Sequence, residues 1–170
     1  MRILFALVFA GTAVMAYAQV APFTLTLRTN KSQVVAGGPV DLIVVMTNTS
    51  DHEVDCTYNF SNALDRNFRY DVTDEEGRPV PQIEKKYHGG SDVSPCILAP
   101  GQSTPTGGGR ISVLYDFSRP GKYTIQVARK IWGDENRPDV LHGDYHQPDI
   151  KSNSIVVTVV PADGPPPAQQ

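Results

Sequence analysis

The chain predicts an all-β domain, and three observations carry that prediction. Apolar and polar residues alternate with the two-residue period of half-buried strands in Phe23-Thr24-Leu25-Thr26-Leu27-Arg28, in Phe68-Arg69-Tyr70-Asp71-Val72-Thr73 and in Lys122-Tyr123-Thr124-Ile125-Gln126-Val127. Turn-forming clusters such as Ala36-Gly37-Gly38-Pro39 and Asn48-Thr49-Ser50-Asp51 separate these runs. No segment carries a convincing 3.6-residue apolar period.

Taken in order, Phe23 to Arg28 is a first strand. The next run, Val40-Asp41-Leu42-Ile43-Val44-Val45-Met46-Thr47, is more continuously apolar and predicts a central strand covered on both faces for part of its length. Val54, Cys56, Tyr58 and Phe60 then share a face, which points Cys56 inward. Phe68, Tyr70 and Val72 repeat the pattern, Glu75-Glu76-Gly77-Arg78-Pro79 turns the chain, and Val80 begins a short return. Pro, Gly and Ser recur from Pro81 to Gly109, which predicts a crossing loop pinned by Cys96, with Gly107-Gly108-Gly109 as a flexible turn. Alternation restarts at Ile111, Val113 and Tyr115. Pro120-Gly121 then opens the strand of Tyr123, Ile125 and Val127. A tyrosine in that position predicts a corner, its hydroxyl returning to nearby loop backbone. A polar segment from Ile131 to Asn153 precedes the last strand, Ser154-Ile155-Val156-Val157-Thr158-Val159-Val160. The whole predicts an immunoglobulin-like antiparallel β-sandwich of about seven to eight strands.

The ends and the cysteines set the compartment. Arg2, the apolar run from Ile3 to Val14 and Ala16-Tyr17-Ala18 predict a signal peptide over residues 1–18, with cleavage after Ala18. The apolar run is shorter than the about 20 residues a membrane span needs. The expectation is a periplasmic or secreted protein with no membrane anchor in its mature form. Residues 19–160 then form one domain, and the Pro-rich residues 161–170 a flexible tail. In an oxidising compartment the isolated pair Cys56 and Cys96 predicts a disulfide. It would close a loop of roughly forty residues, worth about 4 kcal/mol as an upper figure. The net charge is −3 with no basic block, which argues against nucleic-acid binding.

The stretches Asn67 to Val80, Leu98-Ala99-Pro100-Gly101-Gln102-Ser103 and Pro120 to Val127 resemble a common secreted bacterial immunoglobulin-like pattern. In the same order they resemble the bacterial intracellular proteinase inhibitor family, BsuPI. That resemblance covers most of the mature chain. It implies a sandwich of this size, inhibition by surface contact and no cofactor. The signal peptide, the cysteine pair and the long segment before the last strand depart from the family, and no inhibitory residue is carried over.

The richest polar segment, Trp132 to Asp149, joins the Tyr123 strand to the last one if those two form a hairpin. It holds the only Trp of the chain and two of its four His. Connections this long in compact domains are often functional. Exposed aromatic rings beside carboxylates suit a protein or ligand contact. His142 and His146, with Asp144 or Asp149, have metal-ligating chemistry. However, Gly143 and Pro148 oppose the helix that would put both rings on one face, and Asp134, Glu135 and Asp139 lack calcium-loop spacing. No metal is assigned. There is no G-x-S-x-G, no phosphate loop after Gly107-Gly108-Gly109 and no copper-type Cys, His and Met cluster. Three sequons are present, at Asn30, Asn48 and Asn59.

The functional expectation is a non-catalytic module without cofactor. It binds a protein or other macromolecule of the envelope or extracellular space through residues 131–150. Its contact residues are Trp132, Asp134, Asp139, His142, Tyr145 and His146. A proteinase is among the candidate partners, through the inhibitor resemblance. Carbohydrate binding by the same aromatics and a metal-dependent enzyme using His142 and His146 are the remaining alternatives.

Overall fold

The structure is a computed structural model that describes residues 21–61, 64–65, 67–83, 92–129 and 149–162, with backbone alone at 58–61, 64–65 and 92. The expected signal peptide, residues 1–18, and the expected tail beyond residue 162 lie outside the described residues. The strands are β1 Phe23–Thr29, β2 Gln33–Val35, β3 Asp41–Asn48, β4 Val54–Asp55, β5 Tyr58–Ser61, β6 Leu64–Asp65 and β7 Phe68–Thr73. They continue with β8 Asp92–Ser94, β9 Ile97–Leu98, β10 Ser103–Arg110, β11 Gly121–Arg129, β12 Ile150–Lys151 and β13 Ile155–Val160.

Two main sheets face each other. The first has the order β1-β3-β10, all antiparallel. In the second, β11 pairs with β7 along residues 124–129. β13 pairs with residues 121–125 of β11 and β12 with residues 128–129, so those two lie on its other side. β2 completes this sheet, parallel to β13. The first strand of the chain thus belongs to one sheet and its continuation to the other. The arrangement is an all-β sandwich of immunoglobulin type, with β3 and β10 opposite β7, β11 and β13.

Alternation decides which side chains fill the space between the sheets. Phe23, Leu25 and Leu27 of β1, Leu42, Val44 and Met46 of β3, and Phe68, Tyr70 and Val72 of β7 are buried in one cluster with Tyr123, Ile125 and Val127 of β11 and Val157 and Val159 of β13. The central strand β3 is covered in part on both faces. Its residues are buried at every second position and half-buried between, so one face is sealed and the other partly open.

Two expectations are corrected. Ile111, Val113 and Tyr115 do not restart a strand; Ile111–Val113 is a short 3-10 helix. Ile111 and Tyr115 are buried, and an i, i+4 spacing puts both inward on a helical turn as well as on a strand. The region 81–109 is not one loop either, because it contains β8, β9 and all but the last residue of β10. Gly107, Gly108 and Gly109 lie inside β10, paired with Val44, Ile43 and Leu42. Pro105 marks β10 as an edge strand, and the register shifts between Pro105 and Gly107.

β11 and β13 form the expected antiparallel pair, from Gly121↔Val159 to Ile125↔Ile155. A bulge at Ser152 and Asn153 separates β13 from β12. There the Val127 N–H donates to Ser152 Oγ (3.0 Å) instead of to a backbone carbonyl. The Asn153 side chain accepts from Leu27 N–H (2.8 Å) and donates to the Leu27 carbonyl (3.1 Å), stitching the edge of β1 to the opposite sheet.

The tyrosine corner is present. Tyr123 donates its hydroxyl hydrogen to the Arg119 carbonyl at 2.8 Å, and its ring meets Phe117 edge-on at 5.0 Å. Burial, then the nearby Asp116 carboxylate, push the phenol pKa above its ordinary value of 10.0. The folded state therefore favours the protonated phenol. That contribution to stability is complete below the unfolded pKa and is lost as pH rises through the higher folded value. Tyr123→Phe should cost about 1 kcal/mol at neutral pH. It should also remove part of the alkaline loss of stability, as read by urea unfolding at neutral and alkaline pH. Equal curves for both proteins at every pH would contradict the corner.

Candidate functional site

The long polar segment leaves the sandwich at one end, and both of its attachments are defined. Its first foot is Arg129, the last residue of β11, opposite Ile150 of β12. Arg129 follows Tyr123, Ile125 and Val127 on the inward face, so its side chain enters the core and is only 4 % exposed. The guanidinium carbon lies 5.9 Å from the centre of the Phe23 ring and 5.5 Å from that of Phe68. Nη2 donates to the Thr57 carbonyl at 3.0 Å, and Nη1 faces the Met46 sulfur at 3.3 Å. Two aromatic faces and a carbonyl give this cation a partly desolvated seat.

The second foot is Asp149, whose carboxylate pairs with Arg69 on the outside of β7. Arg69 also pairs with Asp71. The hydrogen bond to Asp71 first, then that carboxylate's charge and the bond to Asp149, raise the Arg69 pKa further. The guanidinium is therefore a permanent cation bridging the strand and the foot of the segment.

The connection from β3 to β7 converges on the same end. Asn48, 1 % exposed, closes β3. Its Nδ2 donates to the carbonyls of His52 (2.7 Å) and Leu98 (2.8 Å), and its Oδ1 accepts from the N–H (2.8 Å) and hydroxyl (2.7 Å) of Ser50. This is the self-bonding turn that Asn48-Thr49-Ser50-Asp51 predicts. It also removes Asn48 from the accessible sequons. Thr49 donates from its backbone N–H to the Pro22 carbonyl and from its hydroxyl to the Ala21 carbonyl, both at 3.0 Å, so the start of the described chain lies here too.

Cys56 and Cys96 are joined in a disulfide with Cα atoms 4.8 Å apart. They sit within an antiparallel ribbon in which Val54↔Leu98, Asp55↔Ile97, Tyr58↔Ser94, Asn59↔Val93 and Phe60↔Asp92 share one register. The Cys56 N–H donates to the Cys96 carbonyl at 2.9 Å. Thr57 is the junction. Its carbonyl accepts from Arg129 and from Asn67 Nδ2 (3.0 Å), and its hydroxyl accepts from the Cys96 N–H at 3.3 Å.

Comparison with known proteins adds no relative: no family model matches the chain, and no curated protein matches it. Trp132, Asp134, Asp139, His142, Tyr145 and His146 lie outside the described residues. Among the described residues no three His, Cys, Asp or Glu side chains group as ligands for a metal. Arg129 and Thr57 are the residues that sequence reasoning missed. The phase of Arg129 is a usable signal, because a cation two residues beyond Tyr123, Ile125 and Val127 falls on the core face. Thr57 carries no such signal, because its role rests on its backbone carbonyl.

Proposed function

We propose that the protein is a secreted or periplasmic, non-catalytic module that binds a protein or other macromolecule through residues 131–150. Trp132 and Tyr145 supply the apolar anchors, and Asp134, Asp139, His142 and His146 the polar contacts. The observation that supports this reading is the pair of fixed feet. Arg129 is held inward between two rings and Asp149 outward on Arg69. A long segment mounted at the end of a rigid sandwich suits recognition by shape, as loops on a scaffold generally do. The β3–β7 connection beside it adds contact area at the same end.

Capture from an envelope extract tests the proposal. Wild type should recover a defined partner, and Trp132→Ala with Tyr145→Ala should weaken its capture by about tenfold or more, the scale of aromatic anchors in interfaces. Equal recovery by wild type and by a variant lacking 131–148 would place binding elsewhere.

A further inference from the structure

The ribbon of residues 54–60 and 92–98 belongs to neither main sheet. Among the described residues its backbone pairs only with itself and with β6. Among the described residues its ties to the sandwich include the buried side chains Val54, Cys56 and Leu98, the partly buried Cys96, and side-chain hydrogen bonds from Asn48 to Leu98, from Asn67 to Thr57 and from Arg129 to Thr57. The one covalent tie between its strands is the disulfide, set directly across the ladder. Cys56 is fully buried, whereas Cys96 is partly exposed.

We propose that the Cys56–Cys96 disulfide is a redox-operated latch on this end of the molecule. Reduction opens the ribbon and releases the Thr57 carbonyl from Arg129 while the two main sheets stay folded. As a control on binding, this rests on the reading of the 131–150 segment given above; as a structural event, it does not.

The reductant is a dithiol. Its thiolate bonds to the sulfur of Cys96, the partly exposed residue of the pair, the S–S bond breaks, and Cys56 leaves as a thiolate that takes a proton. The second thiol of the reductant then displaces Cys96, which is protonated in turn. Two electrons and two protons pass to the protein, and the reductant becomes a disulfide. A thiolate at the buried Cys56 position is disfavoured by its apolar surroundings, so reduction and opening of the ribbon are coupled. Thr57 lies one residue from Cys56, and its carbonyl is a fixed acceptor for the residue from which the 130–148 segment departs. A change at the disulfide therefore reaches that segment through two groups.

Hydrogen exchange on the full secreted chain, oxidised and after dithiothreitol, tests the latch, with alkylation and mass measurement to confirm that both thiols are free. Amides of 54–60 and 92–98 should exchange at least about tenfold faster after reduction, while those of β3, β11 and β13 keep their protection. The Cys56→Ser, Cys96→Ser double variant should match the reduced protein. Loss of protection in β3, β11 and β13 together with the ribbon would overturn the latch and make the disulfide a staple of the whole fold. Unchanged exchange in the ribbon, or resistance of the native disulfide to dithiothreitol, would also overturn it. None of these readouts uses a partner, so failure of the binding reading is seen separately, as absent capture by the oxidised protein.

Discussion

Arg129→Ala should destabilise the protein by roughly 3–5 kcal/mol, among the largest single losses available in this fold. Three contributions add. The aliphatic stem is buried, and its removal leaves a cavity between Phe23 and Phe68. Two ring faces lose the cation they oppose, worth about 0.5–2 kcal/mol in such settings. The Thr57 carbonyl loses one of its two donors and keeps Asn67. Arg129→Lys should recover only part of the loss, because an ammonium cannot spread across both rings and reach Thr57 as the planar fork does. Urea unfolding read by circular dichroism gives the comparison. An alanine variant within about 0.5 kcal/mol of wild type would show that the site is merely occupied.

Gly108→Ala should cost about 4 kcal/mol or prevent folding, and Gly107→Ala about 1–3 kcal/mol. The difference comes from what each new Cβ meets. On Gly108 it would lie 2.8 Å from the Leu42 carbonyl carbon, which is backbone of the central strand, and the residue's φ of +112° suits glycine alone. On Gly107 it would lie 2.9 Å from Phe68 Cδ2, a side chain that can yield at a cost. Phe68→Leu should therefore relieve part of the Gly107→Ala penalty and none of the Gly108→Ala penalty. A double-mutant cycle on unfolding free energies measures this coupling, and additive effects for the Gly107 and Phe68 pair would contradict the packing.

These glycines also show why part of the fold was illegible in the sequence. Three consecutive glycines in a Pro- and Ser-rich stretch have the composition of a turn. They form a strand because β3 supplies the pairing, and Phe68 beside Gly107 and Leu42 beside Gly108 leave no room for a side chain at those two positions. Nothing local in Ser103–Arg110 encodes those neighbours. The 3-10 helix at Ile111–Val113 was missed for a related reason, since a short run of inward residues satisfies two periods at once. By contrast β1, β7 and β11 were legible, because one buried face imposes alternation along the whole strand. The candidate site divides the same way. The sequence locates its polar segment between two strands, but the inward Arg129, the outward Asp149 and the Thr57 junction depend on residues far apart in the chain.

What the chain determines by itself is the all-β class, the phase of its best strands, the tyrosine corner and the pairing of its two cysteines. Each follows from a local pattern or from the absence of any other partner. The tertiary structure alone decides that the first strand passes from one sheet to the other, that a glycine run becomes an edge strand, and that a cystine ribbon, a buried cation and the feet of the polar segment share one end. Those outcomes depend on excluded volume and on hydrogen bonds between distant residues, which no local window contains.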